Sequence, residues 1–168
     1  MKIRFWINIF LFIFIILLSI NIFTKKIESK EEKSLTDINL NSINEIIIEV
    51  KNKKDLIFKK QNKKWVMNSP YNKIANQERI KSILEILEIK FYKKYDINKV
   101  NLVQFDLKNP KVLLNLNNNK FYFGVTNPID QRRYVLFDDS VYMIDDFIYP
   151  QLTTSPAFFI DNDVMSEN

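Results

Sequence analysis

The chain has 168 residues and a formal net charge of +5, and hydrophobic residues make up 46% of it. It contains neither cysteine nor histidine, which excludes disulfides, thiolate nucleophiles, Ser-His-Asp triads, zinc fingers and haem ligation by histidine. Without Lys2 and Arg4, two of its 25 basic residues, 23 remain against 20 acidic residues; this balance argues against nucleic-acid binding, which requires clustered Lys and Arg.

The first predicted element is a membrane anchor in the apolar run FWINIFLFIFIILLSINIF, residues 5–23. About 20 apolar residues in a helix cross a hydrocarbon core of about 30 Å. A cleaved signal peptide is the alternative, but its apolar region spans about 7–15 residues and ends in small residues, which this run lacks. The residues assigned to the anchor are Phe5, Trp6, Phe10, Leu11, Phe14, Leu18 and Phe23.

The anchor divides the chain into four predicted parts. Residues 1–24 form a cytoplasmic tip and a transmembrane segment, although the positive-inside rule does not decide its orientation because basic residues flank the run on both sides. Residues 25–34, KKIESKEEKS, alternate in charge and predict a solvated linker. Residues 35–160 are the predicted extracytoplasmic domain, and the polar residues 161–168 are a predicted disordered tail.

Three strands and a helix begin the predicted domain. The β-branched stretch 43–50, then LIFKK and KWVMN, predict a meander joined by polar turns, with Trp65 in the core. Pro70 interrupts the sheet pattern because it cannot donate to a ladder. A helix follows from Gln77, with Asn76 as its N-cap, and we expect it to cover the meander. The residues on its apolar face are Ile80, Ile83, Leu84 and Leu87.

The second half predicts a four-stranded antiparallel run. A polar segment with one short helical turn precedes Pro110, and residues 111–116 then alternate as a strand. Phe121, Phe123 and Val125 form the next inward row, after an NNN turn in which Asn tolerates positive φ. RRYVLF and VYMID complete the run, and DFIYPQL predicts a last helical turn. The predicted fold class is α+β: a transmembrane helix, then antiparallel meanders packed against one main helix.

The candidate binding residues lie in KFYFGVTNPIDQRRYVLF. Gly124, the only glycine, is predicted to take a positive φ at a bend into the following loop. Arg132 and Arg133 begin the returning strand, so they are expected on opposite faces. One interpretation is structural, with an arginine paired to Asp130 or a nearby carboxylate. The alternative is a binding site formed by Arg133, Tyr134 and Arg132 for an anion.

Two further patterns belong to the last hairpin. Tyr134 and Tyr142 are predicted as cross-strand neighbours, a contact that stabilises hairpins. Two acidic pairs could indicate a cation site, but the EF-hand spacing is absent. We therefore predict no catalytic residue, metal site or cofactor. The acidic pairs are Asp138 with Asp139 and Asp145 with Asp146.

The order of these landmarks resembles the domain-of-unknown-function 4340 family of membrane-anchored bacterial proteins. The matching pieces are INEIIIEV, LIFKKQNKKWVMNSP, IANQERIKSILEIL, LVQFDLKNPKVLLNL, FYFGVTNPIDQRRYV and SVYMID. The resemblance covers roughly residues 35–160. The family usually has glycine before the Trp65 strand, where this chain has residues 62–64, and before Leu107, where it has Asp106. Both departures concern the geometry of turns.

The resemblance implies a module outside the cytoplasm that serves a membrane complex, because many members resemble auxiliary components of ABC-type transport systems. We therefore expect a non-enzymatic accessory or interaction component, anchored in the lipid bilayer of the bacterial inner membrane with its domain in the periplasm. Its expected partners are an ABC-type transporter or other envelope membrane proteins. The alternative is a module that binds an envelope polymer or a small anion, and a hydrolase with paired carboxylates is a third hypothesis.

Overall fold

The computed structural model describes residues 2–25 and 33–161, and it divides into two units, residues 1–32 and 33–168. The first unit contains helix α1, Lys2–Lys25, which confirms that the predicted anchor segment is helical. Its described side chains are exposed apart from the half-buried Ile9. The side chains of Leu18 and Phe23 lie outside the described set, as do linker residues 26–32 and tail residues 162–168.

The described part of the chain contains no helix that combines the length and the hydropathy of a membrane-spanning segment.

The second unit is built on one antiparallel sheet of nine strands in the described residues, in the order β4-β3-β2-β1-β6-β7-β8-β9-β5. The strands are β1 Glu45–Val50, β2 Leu56–Gln61, β3 Lys64–Ser69, β4 Lys73–Ile74, β5 Lys93–Asp96, β6 Val112–Leu116, β7 Asn119–Thr126, β8 Arg133–Phe137 and β9 Ser140–Ile144. The helices of this unit are α2 Gln77–Leu84 and α3 Tyr149–Leu152, with 3-10 turns at Leu40–Ser42, Glu85–Leu87, Ile97–Lys99 and Pro156–Phe159.

The α+β class and all seven predicted strands are confirmed, but the two predicted meanders form a single sheet. The joint is the pairing of β1 with β6, in which Ile48 lies opposite Leu114. The sequence did not indicate β4 and β5, which are short and carry mostly exposed side chains at the two edges. The short helical turn predicted before Pro110 lies at Ile97–Lys99, at the start of the polar segment. Both edge strands lack the apolar alternation on which strand prediction depends.

Helix α2 covers one face of the sheet, as predicted. The Asn76 side chain accepts a hydrogen bond from the Arg79 backbone N–H at 3.1 Å, so the predicted N-cap is confirmed. Ile80 and Ile83 are fully buried, and the apolar stripe continues into the Glu85–Leu87 turn. Trp65, with 6% of its surface exposed, packs into the same core, as predicted.

The opposite face of the sheet is covered only in part. A second cluster, centred on Leu107, Leu136 and Val141, forms where residues 97–107 cross β7, β8, β9 and β5. Ile47 on β1 is half-buried on the remaining part of this face. Residues 97–107, which the sequence indicated only as a polar segment, therefore cover part of this face of the sheet.

The side chain of Gln77 forms hydrogen bonds with the backbone of β3, beside the short strand β4. Its Oε1 accepts from the Trp65 backbone N–H at 2.8 Å, and its Nε2 donates to the Trp65 carbonyl at 3.1 Å and to the Ala75 carbonyl at 2.5 Å. A side-chain amide therefore provides here the hydrogen bonds that a neighbouring strand would otherwise provide.

Candidate functional site

Arg133, the first residue of β8, is the centre of the candidate site. Its guanidinium donates from Nε and Nη2 to the two carboxylate oxygens of Asp146, each at 2.7 Å. Nη1 donates to the carbonyl oxygen of Gly124, and the group lies 3.5 Å from the centroid of the Tyr149 ring. With 9% of its surface exposed, Arg133 is a buried cation whose charge is matched by one bidentate carboxylate.

The β7–β8 ladder explains why the Gly124 carbonyl is available to Arg133. The register shifts between Phe123, opposite Val135, and Thr126, opposite Arg133. Such an irregularity leaves backbone groups outside the ladder, and the Gly124 carbonyl accepts from the arginine instead.

The prediction that Gly124 takes a positive φ is wrong, because no glycine in the described residues has one. The position is instead crowded: an added Cβ would overlap the carbonyl oxygen of Phe105 and approach Leu107 at 3.0 Å. The N–H of the next residue, Val125, donates to that same Phe105 carbonyl at 3.0 Å. Glycine is therefore needed for the close approach of residues 97–107 to the sheet.

A small cavity lies beside the buried arginine. Its volume is about 180 Å³, below the range of about 300–1,000 Å³ that is typical of small-molecule sites. The only other charged residues that line this cavity are Asp106 and Lys111, which are both exposed. An anion that entered would meet an arginine already paired with Asp146, so binding would have to displace or share that carboxylate. The lining residues are Asp106, Lys111, Phe123, Gly124, Val125, Thr126, Arg133 and Tyr149.

Arg132 lies in the loop before β8 and does not begin the strand, contrary to prediction. Its Nη1 is 3.1 Å from the Asp130 carboxylate, which confirms the predicted structural pairing. Its Nε is 3.8 Å from Asp145, and its guanidinium lies 3.1 Å from the centroid of the Tyr92 ring. Arg132 therefore ties the loop to the ends of β9 and β5.

Tyr134 lies on the face of β8 opposite Arg133. Its ring packs against Phe105, with centroids 4.4 Å apart. Burial raises the pKa of the Tyr134 hydroxyl above its ordinary value, and the nearby Tyr95 and Asp130 raise it further. The predicted contact with Tyr142 is wrong, because Tyr134 pairs with Met143 while Tyr142 pairs with Val135. Adjacent pairs in a ladder point to opposite faces.

The three candidate residues therefore do not converge on one ligand. Arg133 points into the main core, Tyr134 into the second cluster, and Arg132 stays in the loop. Two of the four predicted acidic residues, Asp145 and Asp146, pair with the arginines. The described residues contain no group of three or more His, Cys, Asp or Glu side chains that could hold a metal ion.

The partnership between Arg133 and Asp146 was not predicted, although the hairpin contained a signal for it. The turn between β8 and β9 is Asp138–Asp139, and the register places Arg133 opposite Ile144. Residues just beyond Ile144 therefore lie beside the start of β8. A two-residue turn fixes the register of the two strands, and that register predicts that the second acidic pair lies beside the arginines.

Most of the folded unit matches the model of a known protein family. A family model described as "Domain of unknown function (DUF4340)" matches residues 65–168. Neither the curated proteins nor the solved structures include a match to this chain.

Proposed function

Because the chain belongs to the DUF4340 family, whose description names no activity, we propose a function from its own residues: a non-enzymatic accessory domain held at a membrane by α1. The membrane is the bacterial inner membrane, crossed once, with the folded unit in the periplasm. The domain acts through contacts with other envelope proteins, and an ABC-type transporter is the expected class of partner.

The exposed apolar surface of α1 carries this proposal. Phe10 is 73% exposed, Trp6 69% and Leu17 54%, and the apolar side chains are not confined to one side of the helix. A helix that is apolar on all sides needs an apolar environment on all sides. Lipid provides that environment for an isolated helix, since a soluble domain covers only one stripe of it.

The geometry around Arg133 supports an interaction role over catalysis. A buried arginine could stabilise an anionic intermediate, but this one is held by Asp146 and by the Gly124 carbonyl. It thereby fixes the residues after β9 to Gly124 of β7. The same contacts weigh against the anion-binding alternative, which would require this pair to open.

The link to transport rests on the family resemblance. Many members resemble auxiliary components of ABC-type systems, and such components act by contact within a membrane complex.

Membrane fractionation tests the anchor. Ile13→Lys with Ile16→Lys introduces two charges in the middle of α1, each costly in hydrocarbon. The double variant should leave the membrane fraction, while the control Ile3→Lys, near the helix end where lysine reaches the interface, should remain. Retention of the double variant after alkaline extraction would reject the anchor. Protease protection of the folded unit in spheroplasts would reject its periplasmic location.

Crosslinking of the full-length chain in its native membranes, followed by mass spectrometry, tests the accessory role. Recovery of a permease or an ATP-binding cassette subunit is the expected result. If only the chain itself is recovered, the accessory role is rejected in favour of the binding module. That module is then tested by thermal-shift measurements with inorganic phosphate and with envelope glycans.

A further inference from the structure

The two ends of the sheet differ in what they expose. At one end β1, β3, β7 and β9 finish, and β2, β5, β6 and β8 begin; we call it the docking end. At the other end lie the β2–β3, β6–β7 and β8–β9 turns; we call it the turn end. Outside α1, six large apolar side chains are exposed in the described residues. None of the six lies in the turns of the turn end; Ile74 is the nearest to it, since it pairs with Val66 of β3.

Five of these six side chains belong to loops of the docking end. Ile129 is 92% exposed at the tip of the β7–β8 loop. Tyr71 follows β3, Tyr92 precedes β5, Phe147 follows β9, and Val103 lies in the segment whose Phe105 carbonyl binds Val125 near the end of β7. The sixth, Ile74, is on β4. Loops from separate parts of the chain thus bring their apolar side chains to one end of the fold.

Lysines occupy the middle of the same end. Lys51, Lys53 and Lys54 lie in the β1–β2 turn, residues 51–55, beside the exposed Asp55. The Lys51 N–H donates to the Lys111 carbonyl at 2.9 Å, so these segments adjoin. Lys108 follows the second cluster. All five lysines are exposed. Among the described residues, no carboxylate forms an ion pair with any of them.

The chain also enters the folded unit near this end. Ser34 pairs with Lys90 in an isolated bridge, and the Leu35 N–H donates to the Ile89 carbonyl at 2.8 Å. Tyr92, two residues after Lys90, donates its N–H to the Met143 carbonyl just ahead of β5. The entry point is therefore next to the docking end.

We propose that the docking end is a membrane-binding surface that rests on a bilayer of anionic lipids. The proposal depends on the anchoring of α1 proposed above. Exposed aliphatic and tyrosine side chains enter the interfacial region of a bilayer, where tyrosine is enriched. The lysines between them match the negative charge of lipid headgroups. The turn end has lysines at Lys60, Lys63 and Lys64, and its three turns contain no exposed large apolar side chain among the described residues, so it provides a control for charge.

The experiment uses the full chain and its lack of cysteine. Asn52→Cys marks the docking end and Asn118→Cys marks the turn end. Both asparagines are exposed in turns with similar positive φ, 63° and 73°, so any strain from the substitution is matched. Each variant is labelled with a fluorescent donor and reconstituted into vesicles that carry an acceptor on the headgroups. The vesicles contain phosphatidylcholine alone or phosphatidylcholine with phosphatidylglycerol.

In vesicles with phosphatidylglycerol, energy transfer from position 52 should exceed that from position 118. Raising the salt concentration should reduce the difference by about half or more, since screening shortens the reach of the lysine charges. Changing Lys51, Lys53 and Lys54 to Gln should reduce it similarly, whereas the same change at the three turn-end lysines should not. Ile129→Gln, which removes apolar surface without adding charge, should reduce the difference without altering the salt dependence.

Two outcomes would overturn the proposal. One is equal transfer from the two positions, or greater transfer from position 118, in phosphatidylglycerol vesicles. The other is loss of the difference in sodium phosphate but not in sodium chloride of equal ionic strength, which would assign the lysines to a discrete phosphate site. Flotation with phosphatidylcholine vesicles reports α1 separately. A chain that floats but shows no difference leaves the anchor intact and rejects the docking surface.

Discussion

Replacing Gln77 with methionine should destabilise the folded unit, because the backbone of β3 then loses the hydrogen bonds that the Gln77 side chain makes to it. Methionine has nearly the same length and also favours helix, so α2 keeps its first residue. The change removes the acceptor of the Trp65 N–H and both donors to the Trp65 and Ala75 carbonyls. The Trp65 carbonyl keeps its bond from the Ala75 N–H at 3.0 Å, but the Trp65 N–H loses the acceptor that Gln77 provides.

The expected loss follows from these contacts. A net hydrogen bond contributes about 0.5–1.5 kcal/mol, and a buried donor left without an acceptor costs about 1–3 kcal/mol. Because the site is only partly buried, water restores part of the loss. We expect Gln77→Met to lower the free energy of unfolding by about 1.5–2.5 kcal/mol.

Urea unfolding of the full chain in detergent, followed by tryptophan fluorescence, measures this change, because Trp65 is directly beside the substitution. Gln61→Met is the matched control: Gln61 is exposed at the end of β2, and surface changes usually stay within about 0.5 kcal/mol. Equal midpoints and slopes for the two variants would refute the edge-capping role of Gln77.

Three further predictions concern the candidate site and its cover. Asp146→Asn should cost about 2–4 kcal/mol in urea unfolding because it leaves the Arg133 charge buried without a counter-ion, and adding Arg133→Met should restore much of that loss; no loss in the single variant would contradict the pairing. Gly124→Ala should cost about 1–3 kcal/mol through overlap with the Phe105 carbonyl, and a wild-type melting temperature would contradict that crowding. The raised pKa of Tyr134 means that its contribution to stability is complete below the unfolded pKa of about 10 and is lost as pH rises through the folded pKa. Tyr134→Phe should therefore flatten the alkaline fall in melting temperature, and an unchanged slope would refute this.

The sequence predicted the parts of the fold that follow from local pattern. Alternation identified the long strands, and spacing with an asparagine cap identified α2, because both signals lie within a few residues. Pairing between distant segments was not predictable in this way. The contact of β1 with β6 and the cover of the sheet by residues 97–107 depend on which surfaces meet after collapse.

The candidate site shows the same division. The pairing of Arg132 with Asp130 is local and was predicted. The burial of Arg133 depends on a register shift in β7–β8 and on the residues that follow β9. The composition of the sequence reveals neither feature. Gly124 was singled out correctly but for the wrong reason, since its role is set by residue Phe105 on another segment.

The pairing of β1 with β6 has a consequence for synthesis. Val50 meets Val112 across that ladder, so β1 has only one neighbour until the chain has been made through β6. At about 5–20 residues per second, the interval between Val50 and Leu116 lasts about 3–13 s. During that time the first meander presents an unpaired, isoleucine-rich edge, which is the kind of surface that associates with other chains. Translation that stalls within residues 51–116 therefore prolongs the period in which this chain is most exposed to aggregation.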